Sequence, residues 1–126
     1  MTTSRTPASR RWRVLLVDDS ADDAELAMIE LRHAGIDADC VRVDSEASLH
    51  AALDASEPQL VLSDVNMPGF DGRRALAIVR ERAPGARFVF LTGAIEGGPP
   101  LPDADGVLLK HELHALPALA RKLLAA

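Results

Sequence analysis

Cysteine is nearly absent from this chain. Cys40 stands alone, so no intrachain disulfide can brace the fold. A lone thiol fits a reducing compartment. Aromatic residues are scarce as well: Trp12, Phe70, Phe88 and Phe90, with no tyrosine. The core must therefore be built from Val, Leu, Ile and Ala. Basic clusters are missing after Arg13 and the formal net charge is −5, which argues against nucleic acid as a partner. No apolar run approaches the roughly 20 residues that cross a bilayer. The N-terminus lacks the charged region and apolar stretch of a secretory signal. A cytoplasmic protein with no membrane partner is expected.

What is present suits one domain: 126 residues, of which 48% are apolar, enough for a core without cross-links. The first residues are rich in Ser, Thr and Arg. A disordered arm is expected over residues 1–11 and a single folded domain over residues 12–126.

From Trp12 onward two kinds of segment alternate. Arg13 to Asp18 is a short apolar run ending in acids, the pattern of a buried parallel strand. Ser20 is placed to cap a helix, with Asp22 and Asp23 in its first turn, where the dipole favours them. Ala24, Ala27, Met28 and Leu31 follow at helical spacing, and Gly35 supplies the stop. A second strand is predicted over Ala38 to Val43, then a helix capped by Ser45 with Leu49, Ala52 and Leu53 on one face. Gln59 to Asp64 repeats the first strand's plan. A loop with Pro68 and two glycines leads to a helix from about Arg73 to Arg82, broken by Pro84 and Gly85. Arg87 to Thr92 and Val107 to Lys110 are the fourth and fifth strands. A last helix runs from about Leu116 to Leu124, with Pro117 tolerated in its first turn.

Such alternation predicts an α/β fold with a doubly wound, five-stranded parallel sheet. The strand order 2-1-3-4-5 is taken over from flavodoxin-like sheets, in which ligands meet the carboxyl ends of the strands. One unit is missing. Between strands four and five, Gly93 to Asp103 holds three prolines and three glycines in eleven residues, too many for an ordinary helix. The fourth helix is expected to be absent or replaced by a loop.

Chemistry gathers at the strand ends: Asp18 and Asp19 after the first, Asp64 after the third, Thr92 after the fourth, Lys110 after the fifth. Crowded carboxylates raise one another's pKa unless a cation is present. Mg²⁺ takes oxygen ligands and is typically held by one or two carboxylates plus a phosphate. A carboxylate can also act as nucleophile and form an aspartyl phosphate. Lys110 would then neutralise one side of the phosphoryl group and Thr92 donate to it. The histidines add no metal site: His111 and His114 are three apart, but no Glu or Cys set completes one. Blander roles exist for each residue. Asp18 and Asp19 suit a helix-capping loop, Asp64 a turn, Thr92 a strand end and Lys110 a solvated surface. The ordered set argues against all of these together. Asp71 is expected to cap the third helix and Cys40 to be a small core residue.

Four segments carry a resemblance. Val17-Asp18-Asp19-Ser20, Leu62 through Gly72, Phe90-Leu91-Thr92-Gly93-Ala94 and Leu108-Leu109-Lys110 together resemble the receiver domains of response regulators, over about residues 12–124. The resemblance implies Asp64 as phosphoacceptor, with Thr92 as switch hydroxyl and Lys110 as phosphate-pairing cation. It implies Mg²⁺ on Asp18, Asp19, Asp64 and the backbone carbonyl of Asn66. It also implies a histidine kinase or a histidine phosphotransfer protein as donor, and no enzymatic turnover beyond the chain's own phosphorylation and dephosphorylation at Asp64.

Three departures stand out. His111 follows Lys110 where most of the family has proline. Val107 stands where the family usually has Tyr or Phe. The fourth helix gives way to Gly and Pro, so a monomer is expected, or a weak dimer not through the family's usual helix 4–strand 5–helix 5 face. The lost helix and Val107 count for the main alternative, a pseudo-receiver acting as a phosphorylation-independent protein-interaction module, and the complete set of acceptor-site residues counts against it. A phosphatase with an aspartyl nucleophile fits less well, because Asp18-Asp19-Ser20 lacks the Asp-x-Asp spacing of the haloacid-dehalogenase type.

Overall fold

A computed structural model of the protein describes residues 11–93 and 103–125, with the backbone alone for Asn66. The expected disordered arm lies outside the described residues apart from Arg11. Most of the Gly/Pro segment, residues 94–102, lies outside them too.

The first strand, β1 (Trp12–Val17), divides its side chains between the two faces of a sheet. Val14 and Leu16 enter one apolar cluster and Leu15 and Val17 the other. This explains its unbroken apolar run. Helix α1 (Ala21–His33) begins at Ser20, whose hydroxyl accepts the Asp23 N–H at 3.1 Å. It ends at Gly35, which adopts φ +80° as a helix terminus of this kind requires. The edge strand β2 (Ala38–Val43) is mostly exposed or half-buried, which accounts for its incomplete alternation. Helix α2 (Glu46–Ala55) starts with a reciprocal capping pair between Ser45 and Ser48.

Strand β3 (Leu60–Asp64) is buried until its last residue. The loop after it is more ordered than its proline and glycines suggest. Asn66–Met67 pairs antiparallel with Phe70–Asp71 in a two-residue hairpin, and Gly69 turns it at φ +74°. Asp71 then caps helix α3 (Gly72–Arg82), accepting the Arg73 N–H at 2.8 Å, as expected. Strand β4 (Arg87–Thr92) is followed by β5 (Gly106–Leu109), and among the described residues no helix lies between them. Lys110 does not extend β5, as the sequence suggested. It opens a 3-10 helix (Lys110–Ala115) that leads into α4 (Leu116–Ala125).

The sheet is parallel throughout, in the order β2-β1-β3-β4-β5. Helices α2 and α3 cover one face over Leu15, Val17, Val61, Phe88 and Phe90. Helices α1 and α4 cover the other over Val14, Leu16, Leu60, Leu62, Val89 and Leu91. The two phenylalanines of β4 meet edge to face with centroids 5.1 Å apart, a favoured geometry. Among the described residues no helix is long and apolar enough to cross a membrane.

Gly72 fixes how α3 meets β3. A Cβ there would stand 2.3 Å from the carbonyl oxygen of Asp64, and the Gly72 N–H donates to the Val65 carbonyl at 3.0 Å. Backbone cannot yield as a flexible side chain would. Gly72→Ala should therefore lower unfolding free energy by about 1–3 kcal/mol in urea titration, the usual cost of forced overpacking. A loss below about 0.5 kcal/mol, the ordinary range for a surface substitution, would show that the approach is not tight.

Candidate functional site

Sheet register brings the strand ends together. Val17 lies opposite Ser63, so Asp18 and Asp64 each stand one residue further on in neighbouring strands. Asp64 lies opposite Leu91, with Thr92 next, and Thr92 lies opposite Leu109, with Lys110 next. The parallel sheet therefore places all four on its carboxyl edge. Asp18, Asp19 and Asp64 each offer an oxygen within 4.8 Å of the others'. Such an all-oxygen, carboxylate set fits a hard divalent cation such as Mg²⁺.

Burial differs sharply among these acids. Asp18 is 2% exposed, while Asp19 is exposed and Asp64 half-buried. The Ser20 N–H donates to Asp18 Oδ1 at 2.9 Å. Arg42 donates to the Asp18 carbonyl oxygen at 3.1 Å, tying β2 to the same edge. Desolvation pushes the Asp18 carboxyl above the usual carboxylate range; Asp64 and Asp23 push the same way, while the Ser20 N–H and Lys110 pull it down.

Lys110 reaches into this cluster. Its Nζ lies 2.8 Å from Asp23 Oδ2, 3.4 Å from Asp64 Oδ2 and 3.5 Å from Asp18 Oδ2. Burial alone would lower the ammonium pKa. The hydrogen bond to Asp23 and the charges of Asp18, Asp64 and Asp23 outweigh that, holding it above the ordinary lysine value.

Every strand-end residue singled out in the sequence is thus at one edge. Thr92 is buried at the end of β4. Asn66 enters through its backbone, pairing with Asp71 in the hairpin beside Asp64. Two further residues emerge only here. Asp23, expected merely to suit the helix dipole, supplies the shortest contact to Lys110. Gly72 clears space behind Asp64; its sequence signal is a glycine at the first helical position, where propensity alone disfavours it. Cys40 is half-buried and its thiol is pushed up by burial first, then by Asp39. His111 and His114 are exposed.

A family model described as the response regulator receiver domain matches residues 14–98. The DNA-binding transcriptional regulator NtrC of Escherichia coli (strain K12) is 31% identical over 83 residues, which are 66% of this chain and 17% of that protein. The response regulator protein FleR of Pseudomonas aeruginosa is 36% identical over 86 residues, 67% of this chain and 18% of that protein. The chain thus spans less than a fifth of the length of these curated relatives. Among solved structures, the N-terminal domain of a response regulator/sensory box/GGDEF 3-domain protein from Carboxydothermus hydrogenoformans is similar at a TM-score of 0.73. It shares 25% identity, covering 90% of this chain and 94% of that one.

Asp18 generates a pH-dependent prediction for the protein kept in a chelator. Its folded-state pKa is raised, so burial disfavours the ionised form. The penalty is absent below the unfolded pKa of about 3.9 and complete above the folded pKa. Asp18→Asn should therefore raise the melting temperature at pH 7, with the gain fading toward pH 3. Thermal melts across that range check it, and destabilisation at pH 7 would mean that the pairing with Lys110 outweighs desolvation.

Proposed function

This chain belongs to the response regulator receiver domain family of two-component signalling, and from that premise we propose that Asp64 accepts a phosphoryl group. The observation that carries the reading is the convergence of Asp18, Asp19, Asp64 and Lys110 on one sheet edge. The donor is a phosphohistidine on a histidine kinase or a histidine phosphotransfer protein in the cytoplasm.

A carboxylate oxygen of Asp64 attacks phosphorus. As that O–P bond forms, the N–P bond of the donor breaks and the imidazole nitrogen keeps the electron pair. Asp18, Asp19 and Asp64, with the backbone carbonyl of Asn66, would hold Mg²⁺. When bound, that ion neutralises negative charge on the phosphoryl oxygens. Lys110, whose ammonium Nζ lies 3.4 Å from Asp64 Oδ2, pairs with the same oxygens. Thr92, at the end of the strand beside Asp64, donates its hydroxyl to a remaining oxygen. Chemistry is confined to the chain's own phosphorylation and dephosphorylation.

Incubation with Mg²⁺ and a small phosphodonor such as acetyl phosphate, followed by intact mass measurement, tests this. Wild type should gain one phosphoryl group and Asp64→Asn none. An unmodified wild type that also fails to bind Mg²⁺ would instead support a phosphorylation-independent interaction module.

A further inference from the structure

The shortest contact of Lys110 is not the one with the acceptor. Its closest partner is Asp23, at 2.8 Å, whereas Asp64 and Asp18 stand at 3.4 and 3.5 Å. Only the Asp23 contact has the length of a charge-assisted hydrogen bond. We propose that Asp23 is a positioning residue that competes with the phosphoryl group for Lys110. The inference rests on Asp64 being the acceptor.

Burial decides which contact yields. The Asp18 side chain is 4% exposed and that of Asp64 13%, but that of Asp23 is 40% exposed. Water replaces a lost partner cheaply at an exposed carboxylate and poorly at a buried one. When a phosphoryl group adds acceptor oxygens on Asp64, the Asp23 contact is the one that lengthens. Asp23 thus holds the ammonium toward α1 in the unloaded site and resists its transfer.

The helix cap at Ser20 does not use this carboxylate. Asp23 is fixed through its backbone, whose N–H donates to the Ser20 hydroxyl at 3.1 Å. Asparagine keeps that bond and the side-chain shape while removing the charge. Asp22 provides a control, because it carries the same charge on the same first turn, and its side chain is exposed.

The test measures binding of beryllium trifluoride, a tetrahedral analogue of the phosphoryl group on a carboxylate, at saturating Mg²⁺ by calorimetry. The proteins compared are wild type, Asp23→Asn and Asp22→Asn. Asp23→Asn should bind about two- to fivefold more tightly than wild type, the scale of one partly exposed ion pair. Asp22→Asn should differ by less. A tighter complex cannot arise from a damaged fold. Unchanged or weaker binding in Asp23→Asn would overturn the proposal, and weaker binding would make Asp23 an organiser of the lysine. Equal tightening in both variants would also overturn it, since bulk charge would then suffice. Absence of analogue binding in wild type would overturn the acceptor reading itself, and this inference with it.

Discussion

Like charges crowded at the carboxyl edge of a parallel sheet are the constraint on which this molecule turns. Asp18, Asp19, Asp23 and Asp64 share a small volume with the ammonium of Lys110. Carboxylates brought this close repel, and burial of Asp18 adds desolvation to the repulsion. Such an edge costs stability unless something cationic sits in it. Lys110 meets part of the need, and a hard divalent ion would meet the rest. In the proposed function, a metal held by these acids would offset that deficit, and Lys110 would offset the charge of the incoming phosphoryl group.

The rest of the fold serves to hold that edge. Two apolar layers clamp the sheet, so the strand ends cannot drift apart to relieve the repulsion. The Asp64 carbonyl is pressed against Gly72, where even a methyl group has no room. Ser20 ties the first helix to Asp18 through its N–H and to Asp23 through its hydroxyl. The 3-10 turn starting at Lys110 returns the chain toward α1, which is how an ammonium 87 residues away meets Asp23.

Much of this was legible in the amino-acid sequence because the signals are local. Apolar runs ending in Asp18, Asp64 and Thr92 mark at once the buried parallel strands and the residues at their carboxyl ends. The caps Ser20, Ser45 and Asp71 act within three residues of themselves. Features that depend on distant backbone were not legible. No propensity marks Asn66–Met67 as the partner of Phe70–Asp71. Asp23 had a sufficient local role at a helix start, and its contact with Lys110 exists only once the last 3-10 turn packs against α1. Val107, where an aromatic residue is usual in the family, is 43% exposed on an edge strand. Its loss from the pattern is readable in sequence, while its exposure follows from sheet order.

The central claim is the identity of the acceptor, and chemical localisation tests it most directly. Protein loaded from acetyl phosphate in Mg²⁺ is reduced with borohydride, which converts an acyl phosphate to homoserine, and the peptides are sequenced by mass spectrometry. Homoserine is expected at position 64 and at no other acid of the cluster. Homoserine at position 18, 19 or 23 would contradict it, as would phosphate retained on the hydroxyl of Ser63 or Thr92.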